Sequence, residues 1–360
     1  MIETRKISRR QFIVSSAAAA GGLALGFNLP FGPQVVRAAD GTPEVNAWVV
    51  IRPDETVVIR IARSEMGQGT LTGLAQLVAE ELECDWKHVT WEFPTPGQNV
   101  ARKRVWGDYF TAGSRGIRTS EDYVRKGGAA ARTMLVSAAA SQWNLPAAEC
   151  SVSKGVITHK GSGRKTTYGK VAEAAAKVTP PADADIHLKD PKQWTIAGKP
   201  LKRLDTPDKL TGKLVYSMDV KLPGLLSAAI RDCPVMGGKV ASFDAKKAEG
   251  MPGVKKVVRV GDSAIAVIAD TWWHAKQAVD AVDIQWNGGD NAKVSSETIA
   301  EMLKAGLDAD QSFVHNQAGD AKTAIAGAAK KIQAEYAYPF QNHAPMEPNN
   351  ATALYTPERC

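Results

Sequence analysis

The stretch that most constrains the fold is a glycine-rich turn, Ser64-Glu65-Met66-Gly67-Gln68-Gly69-Thr70. The preceding residues 56–61 are largely apolar and β-branched, which predicts a strand. After the turn, apolar residues recur at the three- and four-residue spacing of an amphipathic helix, at Leu71, Leu74, Leu77, Val78 and Leu82. The sequence therefore predicts a strand and a helix joined by a tight turn.

This turn has two interpretations. Gly67 and Gly69 let the backbone approach a ligand closely, and the N–H groups at the helix start suit a phosphate or another anion. The Gln68 carboxamide can both donate and accept hydrogen bonds. Alternatively, the glycines serve only the conformation of the turn, since short glycine motifs are weak signals. The heptapeptide by itself leaves both interpretations open.

The N-terminal residues 1–38 have the features of an export signal. Residues 8–13, Ser-Arg-Arg-Gln-Phe-Ile, are typical of a twin-arginine motif, and a charge-free run over 12–34 leads to a small-residue cleavage site at 36–38. An uncleaved membrane anchor is the alternative, because the run is nearly long enough to span a bilayer. Its many alanines and glycines favour a cleaved signal. We therefore expect a periplasmic protein, with membrane association left open.

Charge and cysteine content exclude several classes of protein. The net charge is +7, but residues 1–38 hold five basic residues and one acid, so their removal leaves 7 − 4 = +3. No basic stripe with interleaved aromatics occurs, so we expect no nucleic-acid partner. The four cysteines lie far apart without a Cys-x-x-Cys pair, which leaves an iron–sulfur site, a zinc ribbon and covalent haem attachment unsupported. Cys84 and Cys233 are most simply packed thiols.

Three separate stretches resemble one enzyme family. Residues 65–69, Glu-Met-Gly-Gln-Gly, resemble a cofactor-binding segment of the molybdenum hydroxylases, the xanthine dehydrogenase and aldehyde oxidase family. Residues 204–226, from Leu-Asp-Thr-Pro-Asp-Lys to Pro-Gly-Leu-Leu, look like the opening of its α/β hammerhead domain. Residues 343–353, His-Ala-Pro-Met-Glu-Pro-Asn-Asn-Ala-Thr-Ala, look like the start of its first molybdopterin-binding domain. The glycine turn precedes the hammerhead here, an order similar to that of the isoquinoline 1-oxidoreductase β subunit.

The resemblance implies an α+β fold, with a mixed strand–helix molybdopterin-binding portion and an α/β hammerhead domain. The expected organisation follows the chain: a signal peptide over 1–38, the N-terminal part of the molybdopterin-binding region over 41–177, a Pro-, Asp- and Lys-containing linker over 178–203, the hammerhead over 204–290, and the truncated start of the next molybdopterin-binding domain over 291–360. Within that last part, residues 331–338 are predicted to form a strand.

The resemblance also implies which residues lie near the cofactor. Gly67, Gln68 and Gly69 are expected to bind it, with Gln68 hydrogen-bonding the pterin or a molybdenum ligand. Ser114, Arg115 and Gly116 precede a long helix over 119–143 and are further candidates. Arg115 is favoured among them because a guanidinium matches phosphate bidentately. An ordinary helix-start loop capped by Thr119 or Ser120 is the alternative.

A second pair of candidate residues lies in the 343–353 stretch. His343 and Glu347 are either close to the molybdenum pocket or part of a rigid proline loop, since Pro345 and Pro348 exclude a helix there. No metal ligand is expected among the protein side chains, because the family holds its metal through the pterin dithiolene.

For the whole protein, the resemblance implies oxidation of N-heteroaromatics or aldehydes with water as the oxygen source. The expected cofactor is molybdenum–molybdopterin in its cytosine dinucleotide form. The expected partners are a small [2Fe–2S] subunit and, further along the electron path, a cytochrome c subunit.

The family's later Gly-Gly-Gly-Phe-Gly loop and the segment carrying its catalytic base have no counterpart up to residue 360. We therefore expect the base beyond residue 360 and an incomplete fragment that is inactive by itself. A non-catalytic exported binding or assembly module is the alternative.

Overall fold

The computed structural model describes residues 41–310, 313–358 and 360. These residues form two compact units, the described parts of 1–214 and of 215–360, and each unit is described by itself. The predicted export signal over 1–38 lies outside the described residues. Within the described part of the chain, no helix is both long and apolar enough to cross a membrane.

The first unit contains two small sheets and a layer of helices, in mixed α+β order. Its strands and helices are β1 (Val49–Ile51), β2 (Val57–Arg60), α1 (Thr70–Leu82), β3 (Val89–Glu92), α2 (Pro96–Ala101), α3 (Arg115–Arg118), α4 (Glu121–Trp143), β4 (Cys150–Ser153), β5 (Val156–His159), β6 (Lys165–Thr167), α5 (Tyr168–Ala175) and α6 (Thr206–Leu210). Strand β2 is central in the first sheet, antiparallel to β1 and parallel to β3. Strands β4, β5 and β6 form an antiparallel meander.

The core of this unit lies where α1 and the alanine-rich α4 pack against each other and against the first sheet. Helix α1 buries the apolar side that its sequence spacing predicts, including Leu71 and Leu74. Cys84 is also buried here, as predicted for a packed thiol, and burial raises its pKa to about 12. All four cysteines are free thiols.

Two adjacent glycines let α4 pack closely, Gly128 on α1 and Gly127 on Trp48, the residue before β1. A Cβ at Gly128 would lie 2.5 Å from the backbone carbonyl oxygen of Val78, and a Cβ at Gly127 would lie 2.5 Å from the ring of Trp48. A Cβ atom essentially never lies this close to a non-bonded heavy atom, so both positions require glycine unless the neighbouring atoms shift.

Residues 189–205, which we call the strap, are held against α1 by two buried carboxylates. Glu80 Oε2 accepts hydrogen bonds from the amides of Thr195, Ile196 and Ala197 at 2.8, 2.5 and 3.1 Å, and its Oε1 lies 2.5 Å from Lys189 Nζ. Glu81 Oε2 accepts from the Lys189 amide at 3.0 Å. The second half of the segment expected to be a linker therefore packs on the first unit.

We predict that Glu80→Gln weakens this attachment in a pH-dependent way. Burial raises the pKa of Glu80, but the hydrogen bonds from Lys189 and from the strap amides outweigh it, so the pKa lies below its ordinary value of 4.5. A group with a depressed pKa stabilises the fold above its unfolded pKa, and this stability is lost as the pH falls through the folded pKa. At neutral pH we expect a loss of about 2 kcal/mol in the free energy of unfolding.

Urea denaturation of wild type and Glu80→Gln over a series of pH values tests this expectation. The difference in the free energy of unfolding between wild type and Glu80→Gln should be constant above the unfolded pKa of Glu80. It should shrink below that pKa, because glutamine does not titrate. A difference that stays the same throughout the acid range would contradict the assignment.

The second unit is a smaller α+β arrangement. Its strands and helices are β7 (Ser227–Asp232), β8 (Lys239–Asp244), α7 (Lys246–Glu249), β9 (Val254–Val260), β10 (Ala264–Ala269), α8 (Trp272–Ala281), β11 (Asp283–Asn287), α9 (Ser296–Gly306) and α10 (Ala321–Ala326). Strand β10 lies between β7 and β9, and β8 pairs with β11, all antiparallel. Helix α8 packs on the first of these sheets and buries Ala275, Ala278 and Val279.

The strand expected over 331–338 is not formed. These residues have no regular secondary structure, and the apolar side chains Ile332, Tyr336 and Tyr338 are 85%, 78% and 87% exposed. A strand requires a hydrogen-bonded neighbour, and no described strand pairs with this segment. The predicted strand over 331–338 was therefore wrong for this structure.

Candidate functional site

The glycine turn opens towards solvent at the N-terminus of α1. Gly67 and Gly69 have φ angles of +97° and +87°, values that glycine adopts without steric cost. No atom lies within 4 Å of the position that a Cβ would take at either residue. The neighbouring Met66 is 69% exposed. The glycines thus serve the backbone conformation and also leave the outer side of the turn open.

Glu65 occupies the helix start that the sequence analysis assigned to an anionic ligand. Its Oε1 accepts hydrogen bonds from the amides of Gly67 and Gly69 at 2.7 and 3.0 Å, and its Oε2 accepts from the amide of Leu71 at 3.0 Å. A carboxylate at a helix N-terminus is favoured by the helix dipole, and this one is tethered within the same turn. In this structure these three amides are therefore occupied by Glu65, and a ligand phosphate at them stays a prediction.

Gln68 folds back over its own turn but remains exposed. Its Oε1 accepts from the Met66 amide at 2.6 Å, and its Nε2 donates to the Ser64 carbonyl at 3.0 Å. A carboxamide carries two acceptor and two donor positions. The two bonds therefore leave one acceptor and one donor position of Gln68 for a ligand that approaches from the solvent side.

Arg203, at the end of the strap, joins the turn to a second carboxylate. Its Nη1 donates to the Gly67 carbonyl at 2.8 Å, and its Nη2 lies 3.2 Å from Glu65 Oε1. Asp205 holds the other side of the guanidinium, with contacts of 3.0 Å to Nε and 2.8 Å to Nη2. We call Glu65, Arg203 and Asp205 the clamp.

Within the clamp, Asp205 is ionised across the neutral range. The hydrogen bond from Arg203, together with that from Lys209 at 2.6 Å, holds the pKa of Asp205 at about 2. Sequence reasoning missed Arg203 and the structural role of Glu65. Asp205 belongs to the stretch that was interpreted as a domain opening, yet its side chain is 2% exposed and lies in the first unit.

The loop that carries Ser114, Arg115 and Gly116 lies next to the same helix start. A Cβ at Gly116 would be 2.6 Å from Thr70 Oγ1, so the short helix α3 packs directly on the first residue of α1. Ser114 is exposed, with φ at +56°. The structure therefore brings together two segments that the sequence predicted to share a site, residues 67–69 and 114–116.

Arg115 is partly exposed on this side of the unit. Its guanidinium lies 3.2 Å from Asp108 Oδ2 and 5.2 Å from the centroid of the Phe110 ring. Its side chain is 37% exposed, so part of the cation faces solvent beside the turn. A planar guanidinium in this position can bind a phosphate.

Arg63, a buried arginine that the sequence analysis missed, holds the loop before α3 in place through hydrogen bonds. Arg63 Nη1 donates to Asp108 Oδ1 at 2.7 Å and to the Phe110 carbonyl at 2.6 Å. Its Nε donates to Ser120 Oγ at 2.9 Å. Ser120 stands at the N-cap of α4 but makes no capping hydrogen bond through its side chain. The loop is thus ordered by Arg63 rather than by a helix cap alone.

His343 and Glu347 belong to the second unit, in a segment without regular secondary structure. His343 is exposed, and Glu347 is half-buried with Asn350 Nδ2 at 3.5 Å from its Oε1. Their place near a cofactor stays a prediction from resemblance.

Comparisons with known proteins agree on one family. The sequence model described as the molybdopterin cofactor-binding domain matches residues 10–210, more than half of the chain. The β subunit of the isoquinoline 1-oxidoreductase of Brevundimonas diminuta is 28% identical, covering 97% of this chain and 50% of the relative. A membrane-bound aldehyde dehydrogenase of Gluconacetobacter polyoxogenes is also 28% identical, covering 98% of this chain and 47% of the relative. The name of this enzyme includes pyrroloquinoline quinone.

A more distant relative is one subunit of the nicotinate dehydrogenase of Pseudomonas putida, 24% identical over 87% of this chain and 26% of its own length. The chain thus spans half or less of the length of these relatives. Among solved structures, the aldehyde oxidoreductase of Desulfovibrio gigas overlaps 33% of this chain and 18% of its own, with a TM-score of 0.23 and 22% identity. The quinoline 2-oxidoreductase of Pseudomonas putida 86 overlaps 23% and 15%, with a TM-score of 0.20 and 19% identity.

Proposed function

This chain belongs to the molybdopterin cofactor-binding domain family, and we propose that it holds molybdopterin at the glycine turn. The observation that carries the proposal is an exposed turn with an available carboxamide, Gln68, inside the matched range and beside the 114–116 loop. Gly67 and Gly69 give the ligand access to this turn, and Gln68 would hydrogen-bond the pterin.

Only the solvent-exposed side of the turn has room and hydrogen-bonding groups for a pterin. A pterin has donor and acceptor groups along its ring edge, which match the remaining donor and acceptor positions of Gln68. The open space at Gly67 and Gly69 leaves room for a flat ring. The amides at the helix start are bound to Glu65, so the negatively charged end of the ligand needs another partner. Arg115 is the candidate, because its guanidinium is partly exposed.

For the full-length protein we propose oxidation of N-heteroaromatic compounds or aldehydes, with water as the oxygen source. The names of the relatives, which include an isoquinoline oxidoreductase, an aldehyde dehydrogenase and a nicotinate dehydrogenase, support these substrate classes. The bound group would supply the redox chemistry, and the residues described above would bind and orient it. We further propose the cytosine dinucleotide form of the cofactor.

The proposed setting of the protein follows from its sequence. The twin-arginine motif at residues 8–13 supports export to the periplasm after folding. Electrons would leave through a small [2Fe–2S] subunit and then a cytochrome c subunit, the partners that the family resemblance implies.

Metal and cofactor analysis of the full-length protein, purified after export, tests this proposal. We expect molybdenum and pterin in equal amounts, release of a cytosine nucleotide on hydrolysis, and turnover of isoquinoline, nicotinate or an aldehyde. Pterin without turnover of any of these compounds would refute the proposed substrate classes. Absence of both molybdenum and pterin would refute the enzyme and favour a non-catalytic exported module.

A further inference from the structure

We propose that Arg203 is a positioning residue that fixes the glycine turn in its ligand-binding conformation before any ligand arrives. This inference rests on the proposed function of the turn. It assigns to the strap, more than 130 residues away in sequence, the task of ordering residues 65–69.

The turn needs such support because of its own composition. Gly67 and Gly69 both have positive φ angles, and glycine loses more conformational freedom on folding than any other residue. Among the described residues, the side chain of Gln68 bonds only to the turn itself, at Met66 and Ser64. Side chains from outside the turn hold its backbone at both ends of the glycine stretch: Thr111 Oγ1 accepts from the Ser64 amide at 3.1 Å, and Arg203 donates to the Gly67 carbonyl.

Glu65 transmits this support to the rest of the turn. Its carboxylate binds three amides, those of Gly67, Gly69 and Leu71, as well as the Arg203 guanidinium, and its side chain is 9% exposed. Arg203 therefore holds the turn both at a carbonyl and through the carboxylate that gathers its amides. A carboxylate with four partners is not easily displaced, so a ligand meets the outer side of the turn.

Arg203 is itself fixed by its surroundings. Asp205 accepts hydrogen bonds from two nitrogens of the Arg203 guanidinium. Lys209, four residues further on in α6, forms an ion pair with Asp205. The amide of Leu204 donates to Thr72 Oγ1 at 3.1 Å, which ties the end of the strap to α1. A planar, bidentate contact of this kind cannot be reproduced by lysine.

Hydrogen exchange of the full-length protein, produced in a host that does not make the cofactor, tests the clamp directly. In Arg203→Ala the amides of residues 65–71 should exchange about tenfold faster than in wild type, the effect of losing a hydrogen bond to a charged group. Arg203→Lys should restore only part of the protection. Lys202→Ala is the matched control, since it removes a neighbouring exposed cation and should leave exchange unchanged.

The same variants, produced with the cofactor, test the consequence for binding. Pterin content should fall several-fold in Arg203→Ala, whereas the thermal midpoint of the first unit should stay close to that of Lys202→Ala. Unchanged exchange at residues 65–71, or unchanged pterin content, would overturn the positioning role. A general loss of protection throughout the unit would also overturn it, because it would indicate a structural role only. Absence of pterin from wild type would instead refute the proposed function, and the exchange experiment distinguishes the two failures.

Discussion

Replacing Glu44 by alanine should lower the free energy of unfolding of the first unit by about 3–5 kcal/mol, the usual cost of breaking a buried ion pair. Glu44 Oε1 binds two arginines, Arg60 at 2.6 Å and Arg102 at 2.9 Å. The side chains of Glu44, Arg60 and Arg102 are 1%, 4% and 0% exposed, so solvent cannot replace the lost carboxylate. The centroid of the Trp106 ring, which is itself buried, lies 4.8 Å from the Arg102 guanidinium carbon.

Urea denaturation followed by tryptophan fluorescence measures this loss. The matched control is Glu121→Ala, which removes a carboxylate that is 48% exposed and 3.5 Å from Arg125. Arg125 keeps its buried partner Glu81 at 2.8 Å, and Glu121 is half exposed, so we expect a loss of about 1 kcal/mol or less. Equal losses in the two variants would show that burial of the Glu44 cluster does not matter to stability.

Gly128→Ala should cost about 3 kcal/mol, the upper end of the usual penalty for overpacking. The added methyl group would lie 2.5 Å from the Val78 carbonyl oxygen and 3.1 Å from Glu81 Cβ. The first of these atoms is backbone within α1 and cannot move by a rotamer change. Helices α1 and α4 must therefore separate, although alanine has the higher helix propensity by about 1 kcal/mol.

Gly73→Ala is the matched control for this substitution, because Gly73 lies in α1 and its added methyl group meets only the tip of Ile117, at 3.0 Å. That side chain can shift, so we expect little change in the thermal midpoint of the unit. If Gly128→Ala had the same thermal midpoint as Gly73→Ala, this would contradict the close contact between α1 and α4 at Gly128.

The local elements of both units follow from sequence patterns. The apolar spacing after the glycine turn predicts α1 nearly to its ends, and the alanine-rich run predicts α4. The valine-rich stretch at 254–260 and the apolar run at 264–269 predict β9 and β10 with their observed bounds. Such patterns report which side of an element is buried, and this information is local.

The polar contacts that order the candidate site and the buried Glu44 cluster could not be predicted in the same way. Glu65 and Arg203 are 138 residues apart, and Glu44 and Arg102 are 58 apart. Charged residues usually lie on the surface, so their spacing in sequence gives no signal of burial. Strand β8 carries no clear strand pattern in the sequence, because its residues are mostly exposed and alternate weakly. Residues 331–338 are the opposite case: a strand was predicted there but is not formed, because no described strand lies beside them to pair with.

The central claim is that the exposed side of the glycine turn binds molybdopterin, and the pterin content of Gln68→Ala in the full-length protein tests it most directly. Gln142→Ala is the control, because Gln142 is an exposed glutamine in α4 outside the site. We predict that pterin and molybdenum fall about tenfold in Gln68→Ala, as expected for lost hydrogen bonds worth about 1.4 kcal/mol, at an unchanged thermal midpoint. Pterin and molybdenum contents equal to those of Gln142→Ala and wild type would contradict the account.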